Sequence, residues 1–370
     1  MTPQPRQLEL ELMREALILA ARGRGYVEPN PMVGCVILKA GHVIGRGHHQ
    51  KFGELHAEPN AMASCTEDPR GATAIVTLEP CCHTDKKTPP CVPSLIRAGI
   101  ARVVIGHTDP NPQVSGNGIA QLRAAGIEVI SDVMNAQCRQ LNAPFFALTQ
   151  FARPYVTLKW AQSADGLMGG AGNTPRQISG SESNRFMHML RTRCDAIAVS
   201  ADTVIADDPM LTPRRVPIIR TPLRVILDAH LRTPPTAKLI QSADASPVHI
   251  FTTVGNPPNW PGVTFHQTPT ADGHLDLRSV LRELGTMKIT HLLIEPGPRL
   301  AKAFMQQNLA DRIWVIRSPV PLHETKAPAA PDVPYPAALC RDLGIDTLSE
   351  YLNPGSEVFF ANAASPESQL

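Results

Sequence analysis

The sequence predicts two α/β domains in series, and three observations carry that prediction. The chain has 370 residues, enough for two domains that each bury a core of their own. Short apolar runs alternate with stretches of helical periodicity, the pattern of strands joined by crossover helices in a largely parallel sheet covered on both faces. Around "LNAPFFALTQFARPYV", Leu141 to Val156, that rhythm breaks between Pro144 and Pro154. The boundary is therefore expected near residue 152, with domains over 1–150 and 153–370.

Taken in order, Leu8, Leu12, Ala16, Leu19 and Ala20 recur at helical spacing, so Gln7 to Arg22 reads as an amphipathic helix. "VGCVILK" is a short buried strand, with "HVIGRGHH" pairing beside it. Helical "HAEPNAMASC", strand-like "GATAIVTLEP", helical "CVPSLIRAG", strand-like "ARVVIGHTDP", helical "NGIAQLRAAG" and strand-like "IEVISDV" follow. In the second half "YVTLKW", "DAIAVS", "LRVILDA", "PVHIFTT", "HLLIEP" and "RIWVIRS" read as strands. Between them lie helical "SESNRFMHMLRTR", "DLRSVLREL" and "RLAKAFMQQN". The Pro-rich "SPVPLHETKAPAAPDVPYP" is expected to be irregular, and "ANAASPESQL" a frayed tail.

Bulk properties narrow the partner. Hydrophobic residues make up 43% of the chain and charged residues 18%, and the formal net charge is +2, so no strong field draws nucleic acid or a membrane surface. A small-molecule partner is favoured. The N-terminus mixes acids and bases through its apolar positions, and no stretch reaches 18 apolar residues; a cytoplasmic location is expected. Eight cysteines are too few for a disulfide scaffold of this length, and in a reducing compartment clustered cysteines point to metal or catalysis. Cys35, Cys65, Cys138, Cys194 and Cys340 stand alone and read as inert packing residues.

The cluster is "TLEPCCHTDKKTPPC", Thr77 to Cys91, preceded by "HAEPNAM" at His56 to Met62. Disulfide pairing, structural zinc, catalytic zinc and plain loop packing all suit crowded thiols. His56, Cys81 and Cys91 supply one imidazole and two thiolates, a set that suits Zn²⁺ with its fourth tetrahedral position left for water. Each is expected to open a helix. Glu58, two residues from the histidine, is placed to shuttle a proton. H-x-E followed by P-C-x-x-C is the general pattern of zinc deaminases, with glutamate as the non-ligand acid/base. Here nine residues separate Cys81 from Cys91, so a loop carrying His83, Lys86 and Lys87 must bulge between the ligands. Cys82 and His83 stay open as competing ligands.

With "PNPMVGCVI", "HAEPNAM", "TLEPC…TPPC" and "DPNPQVSGNGI" in this order, the first half resembles the deaminase domain of the bifunctional riboflavin-biosynthesis deaminase/reductases. Through "PYVTLKWAQSADG", "DAIAVSADTVIADDPMLTPR", "RVILDAHLRTPP" and "HLLIEPGPRLAKAF" the second half resembles their reductase domain. The resemblance implies a cytidine-deaminase-like three-layer α/β/α domain followed by a dihydrofolate-reductase-like α/β domain. It implies zinc-dependent hydrolysis of the 2-amino group of 2,5-diamino-6-(5-phosphoribosylamino)pyrimidin-4-one, then reduction of the ribosyl chain to ribityl by NADPH. His56, Cys81 and Cys91 match the zinc ligands and Glu58 the proton shuttle. Asn30, His49, His83 and Lys87 match positions that contact the deaminase substrate. Lys159 and Glu295 match the reductase reaction centre, and Arg191, Leu211, Arg214 and Glu295 match positions that bind its substrate. Ala161, Gln177, Thr203, Asp207 and Gly297 match cofactor positions. A homo-oligomer, a dimer, is also implied.

Three features depart from the family pattern. Gln177 replaces the usual tryptophan, Pro296 stands where a small residue is usual, and the Pro-rich segment from Pro319 replaces a lysine and a Gly-ending turn. They bear on cofactor affinity more than on fold. Rival readings are a nucleic-acid base deaminase with an accessory domain, a protein with structural zinc, and a deaminase whose reductase half has degenerated.

Overall fold

In the computed structural model, which describes residues 6–84, 88–174, 176–271 and 273–360, the N-terminal apolar stripe forms helix α1 (Gln7–Ala21). Leu12, Met13, Ala16, Leu19 and Ala20 lie on its buried face. After it come β1 (Gly34–Lys39), β2 (His42–His48), α2 (Ala57–Ala63), β3 (Thr73–Val76), α3 (Cys91–Arg97) and β4 (Arg102–Ile105). The first unit ends with α4 (Asn117–Ala124), β5 (Glu128–Ile130), α5 (Asn135–Leu141) and α6 (Ala143–Phe151). The chain divides into two units, the second beginning at Ala152.

The strands of the first unit form a sheet in the order β2-β1-β3-β4-β5. Period-two alternation buries both faces: Cys35, Ile37, Val76 and Val103 pack on one side, Val36, Leu38, Ile75 and Val104 on the other with α1. That is a three-layer α/β/α unit. Only β3, β4 and β5 run parallel, because β1 pairs antiparallel with both β2 and β3. Helix α2 rests directly on β2: a Cβ added at Gly47 would lie 2.2 Å from the Ala61 backbone nitrogen, so only glycine permits the approach. Buried Glu9 of α1 meets Arg102 of β4 at 2.8 Å, fixing the other helix layer.

The second unit runs β6 (Tyr155–Gln162), α7 (Ser181–Arg191), β7 (Ala196–Ser200), α8 (Ala201–Asp207), β8 (Leu223–Leu227), α9 (Lys238–Gln241), β9 (Val248–Thr252) and β10 (Val263–Gln267). The short β11 (Thr270–Ala271) and β12 (His274–Leu275) lead to α10 (Leu277–Thr286), β13 (His291–Ile294), α11 (Pro298–Gln306) and β14 (Arg312–Arg317). An antiparallel hairpin, β15 (Leu339–Leu343) and β16 (Asp346–Leu352), and α12 (Glu357–Phe360) follow. The main sheet has the order β10-β9-β8-β7-β13-β6-β14-β16-β15. β13 therefore slots between β7 and β6, parallel to both. The strand order reverses there, and ligands of open parallel sheets bind outside the carboxyl ends of the strands at such a reversal.

Several expectations need correction. The stretch without clean periodicity contains α6, which buries only Ala143, Phe146 and Ala147 and carries Pro144 in its first turn, where no N–H is needed. Cys81 does not open a helix; the bulge to Cys91 delays the helix start to α3. Cys340 is exposed on β15 rather than packed. The tail from residue 361 lies outside the described residues. Residues 319–328 are irregular as expected, and Ala329 makes one isolated bridge with Leu167. No helix among the described residues is long and apolar enough to cross a membrane.

Candidate functional site

In the first unit His56 is the N-cap of α2 and Cys91 the first residue of α3, while Cys81 lies in the turn after β3. The Cys91 and Val92 N–H groups both donate to the Cys81 carbonyl, at 3.0 and 3.2 Å, which brings α3 back over Cys81 despite the bulge. His56 Nδ1 lies 3.5 Å from Cys81 Sγ and 3.4 Å from Cys91 Sγ. A tetrahedral zinc, with bonds of about 2.3 Å to sulfur and about 2.0–2.1 Å to nitrogen, needs ligand separations of about 3.5 Å. The donor set fits the ion. His56 Nε2 faces Thr88 Oγ1 at 3.1 Å, which fixes the ring with Nδ1 toward the sulfurs. Among the described residues this is the single metal-competent cluster, and neither Cys82 nor His83 belongs to it.

Glu58 stands in the first turn of α2, buried, with Oε2 3.2 Å from Cys91 Sγ. Burial pushes its carboxyl above the ordinary value, and the neighbouring Cys81 adds to the rise. Contact with Cys81, then burial, likewise raises the Cys91 thiol. Three groups able to become anions thus crowd one imidazole, a condition that a divalent cation relieves.

A cavity of about 350 Å³ opens beside this cluster, lined in part by Asn30, His49, His56, Glu58, His83 and Asp109. His49 Nδ1 meets the Leu55 carbonyl at 3.0 Å, so it carries the proton. Its Nε2 therefore accepts from the Asn30 amide at 3.3 Å. Burial lowers the His49 pKa, which keeps that ring neutral. His83 brings a buried Nδ1 with no partner among the described residues. Lys87 lies outside the described residues.

Sequence reasoning missed Asp109, Asn111 and Thr88, which also line the cavity. A second buried carboxylate explains why Asp109 and Asn111 are there. Glu79 accepts from the backbone N–H groups of Asp109, Gly116 and Ile119 at 3.2, 3.0 and 3.1 Å, folding the 109–119 segment over the turn that bears Cys81. Gly118 completes the fit, because a Cβ there would meet the Pro80 carbonyl at 2.3 Å.

In the second unit the candidates gather at the carboxyl ends of β6, β7 and β13. Lys159, paired with Trp314 in the sheet register, lies on the face of β6 covered by α7. Arg191, the last residue of α7, holds Glu295 in a bidentate pair with both distances 2.8 Å. Burial raises the Glu295 pKa, but Arg191 and Lys159 outweigh it, and the carboxyl sits below its ordinary value. Burial lowers Lys159, with Glu295 opposing. Asp207 is raised by burial and then by Glu295.

Arg214 is exposed, and its backbone N–H donates to His188 Nδ1 at 3.3 Å. His188, one turn before Arg191 on α7, was not singled out from the sequence. Thr203 and Gly297 approach across the amino ends of α8 and α11: a Cβ on Gly297 would lie 4.0 Å from Thr203 Oγ1. Arg299 and Asp202 tie the same two helices at 2.7 Å. Not every candidate joins the group. Leu211 is buried in the core with φ 55°, Ala161 packs against the same cluster, and Gln177 is exposed with its amide 3.4 Å from the Ser179 carbonyl.

Two known families cover these two sites. The cytidine and deoxycytidylate deaminase zinc-binding region matches residues 6–107, and the RibD C-terminal domain matches residues 154–350. The chain belongs to the RibD family. Riboflavin biosynthesis protein RibD of Aquifex aeolicus is 40% identical over 314 residues, covering 85% of this chain and 88% of that one. The Escherichia coli RibD is 39% identical over 320 residues, covering 83% and 86%. Among solved structures, Acinetobacter baumannii RibD shares 34% identity at a TM-score of 0.81, covering 93% of this chain and 98% of that one. The Thermotoga maritima diaminohydroxyphosphoribosylaminopyrimidine deaminase/5-amino-6-(5-phosphoribosylamino)uracil reductase matches with the same identity, score and coverage. As a RibD protein, this chain is a bifunctional deaminase and reductase of riboflavin biosynthesis that uses Zn²⁺ and NADPH.

Proposed function

We propose that the cavity of the first unit binds 2,5-diamino-6-(5-phosphoribosylamino)pyrimidin-4-one and that the second unit reduces the ribosyl group of the deaminated product. The observation that carries this reading is the convergence of His56, Cys81, Cys91 and Glu58 at one wall of that cavity. Zinc, when bound by the first three, lowers the pKa of water and so supplies a nucleophile near neutral pH. Glu58 Oε2 takes up the proton of that water and returns it to the departing amine. Neutral His49 and the amide of Asn30 orient the pyrimidine, and His83 offers its unpaired Nδ1 to the substrate.

In the second unit Arg191 holds Glu295, and the two set the charge around Lys159, whose Nζ gives up a proton as the ribose opens. Exposed Arg214 takes the phosphate. NADPH supplies the hydride when bound, with Thr203, Asp207 and the backbone at Gly297 holding the dinucleotide. The enzyme is read as a cytoplasmic homodimer with no nucleic-acid partner.

Incubating the purified protein with the diaminopyrimidinone tests both halves. Ammonia release without NADPH, and NADPH oxidation only after deamination, are expected; release of no ammonia would end the deaminase reading. The deaminase domain is assigned to residues 1–150 and the reductase to 153–370. A fragment of residues 1–150 should then deaminate alone, and a folded, zinc-loaded but inactive fragment would overturn that division.

A further inference from the structure

The Pro-rich segment after β14 is expected from the sequence to be an irregular connection, yet it is bonded along its length to the loop that leaves β6. Arg317 pairs with Gln162 at the carboxyl ends of β14 and β6, and the Ser318 N–H donates to the Gln162 carbonyl at 2.9 Å. The two segments therefore leave the sheet side by side, at the end where Thr203, Glu295 and Gly297 also lie. Ala164 donates to the Val320 carbonyl at 3.1 Å, Met168 to that of Pro328 at 2.9 Å, and Ala330 to that of Gly166 at 2.8 Å.

Two carboxylates then reach across in opposite directions. Asp165, from the loop, accepts from the Leu322 and His323 N–H groups at 3.1 and 2.9 Å. Glu324, from the Pro-rich segment, accepts from the Ala171 N–H, and its other oxygen accepts from Arg176 Nε at 3.1 Å. Hydrogen bonds hold both acids below their ordinary values, Asp165 at about 2 chiefly through Ser163 and Glu324 chiefly through Ala171, so both are charged at working pH. The segment is itself anchored: Ala330, Val333 and Tyr335 pack against the core of the unit. Its prolines narrow the unfolded alternatives, so little order has to be created to hold the loop.

From this geometry we infer that the Pro-rich segment is a strap, with Asp165 and Glu324 as positioning residues that set the loop after β6 as a wall of the NADPH site. The inference rests on the reductase reading above. It also accounts for Gln177, just beyond Arg176: where the family pattern has a tryptophan, this chain fixes the loop from behind.

The test is NADPH affinity in the full-length protein, by fluorescence titration, for the wild type, Glu324→Ala and Glu324→Asp. Loss of a charge-assisted contact predicts about tenfold weaker binding and a comparable rise in the KM for NADPH in Glu324→Ala, with kcat within about twofold. Glu324→Asp should recover part of the affinity. Deaminase activity should be unchanged, and the retained reductase kcat shows that the second unit of the variant is folded. If Glu324→Ala misfolds, Glu324→Gln, which keeps the acceptor but loses the charge opposite Arg176, should still weaken NADPH binding several-fold. Equal NADPH affinity in wild type and variants, or a fall in kcat with unchanged KM, overturns the strap. A wild type that binds no NADPH overturns the reductase reading itself, and the strap with it.

Discussion

Around His56 the first unit gathers Cys81, Cys91 and Glu58, three groups that can become anions, against one imidazole. Around Lys159 the second unit gathers Arg191 and Glu295 in a bidentate pair, with Asp207 close enough to feel the glutamate. One site needs a metal to balance its charge, whereas the other carries its counter-ions within the chain. The difference teaches where each is vulnerable. On the function proposed above, the first rests its proton chemistry on a single carboxylate, while the second spreads charge over several groups, so removing one member there should disturb stability as well as rate.

Three changes test that contrast, beginning with the largest effect. Glu58→Gln keeps the size of the side chain and the zinc ligands but removes the proton carrier; deamination should fall by about 10²–10⁴-fold or more. Zinc content and reduction of pre-deaminated substrate should be unaltered, and near-normal ammonia release would reject the assignment.

Glu295→Gln should cost stability of about 1–2 kcal/mol, between an exposed and a fully buried ion pair because the pair is half-buried, as Arg191 and Lys159 lose their counter-charge. The native pKa of Glu295 is depressed, so its contribution is complete above the ordinary carboxylate range of about 4.3 and is lost as pH falls through the lower native value. Thermal unfolding followed from neutral pH downward should show wild type and variant converging in acid. A gap that persists or widens there would contradict the charge argument.

The smallest effect belongs to Gln177→Trp. The side chain is exposed, so an indole has room to stack, and NADPH should bind several-fold more tightly, about 1 kcal/mol. Unchanged or weaker binding would mean that position 177 does not face the cofactor.

Legibility followed the distances in the chain. His56, Glu58 and Cys91 sit at helix starts, so local spacing exposes them; Cys81 was misplaced because its geometry comes from α3 folding back across the bulge. Asp109 and Asn111 enter the cavity through three hydrogen bonds from the backbone to Glu79, between residues 30 to 40 positions apart, and no periodicity records such a link. The reductase group depends on β13 slotting between β6 and β7, which strand order alone determines. Both α/β units were evident from alternating runs. The β15–β16 hairpin was not, since β15 is an edge strand with exposed or half-buried residues and thus no apolar alternation to read.

Helix α2 rests on Gly47 with no atom to spare. A single methyl group there would lift the helix by roughly an ångström, and with it Glu58 and the ring of His56; a misplacement of that size can cost about 100-fold in rate. A survey of every substitution in the chain would then score this glycine, on a strand that supplies no reacting atom, as intolerant as a catalytic residue. Part of the enzyme's mutational fragility is stored in a seat rather than in the chemistry placed upon it.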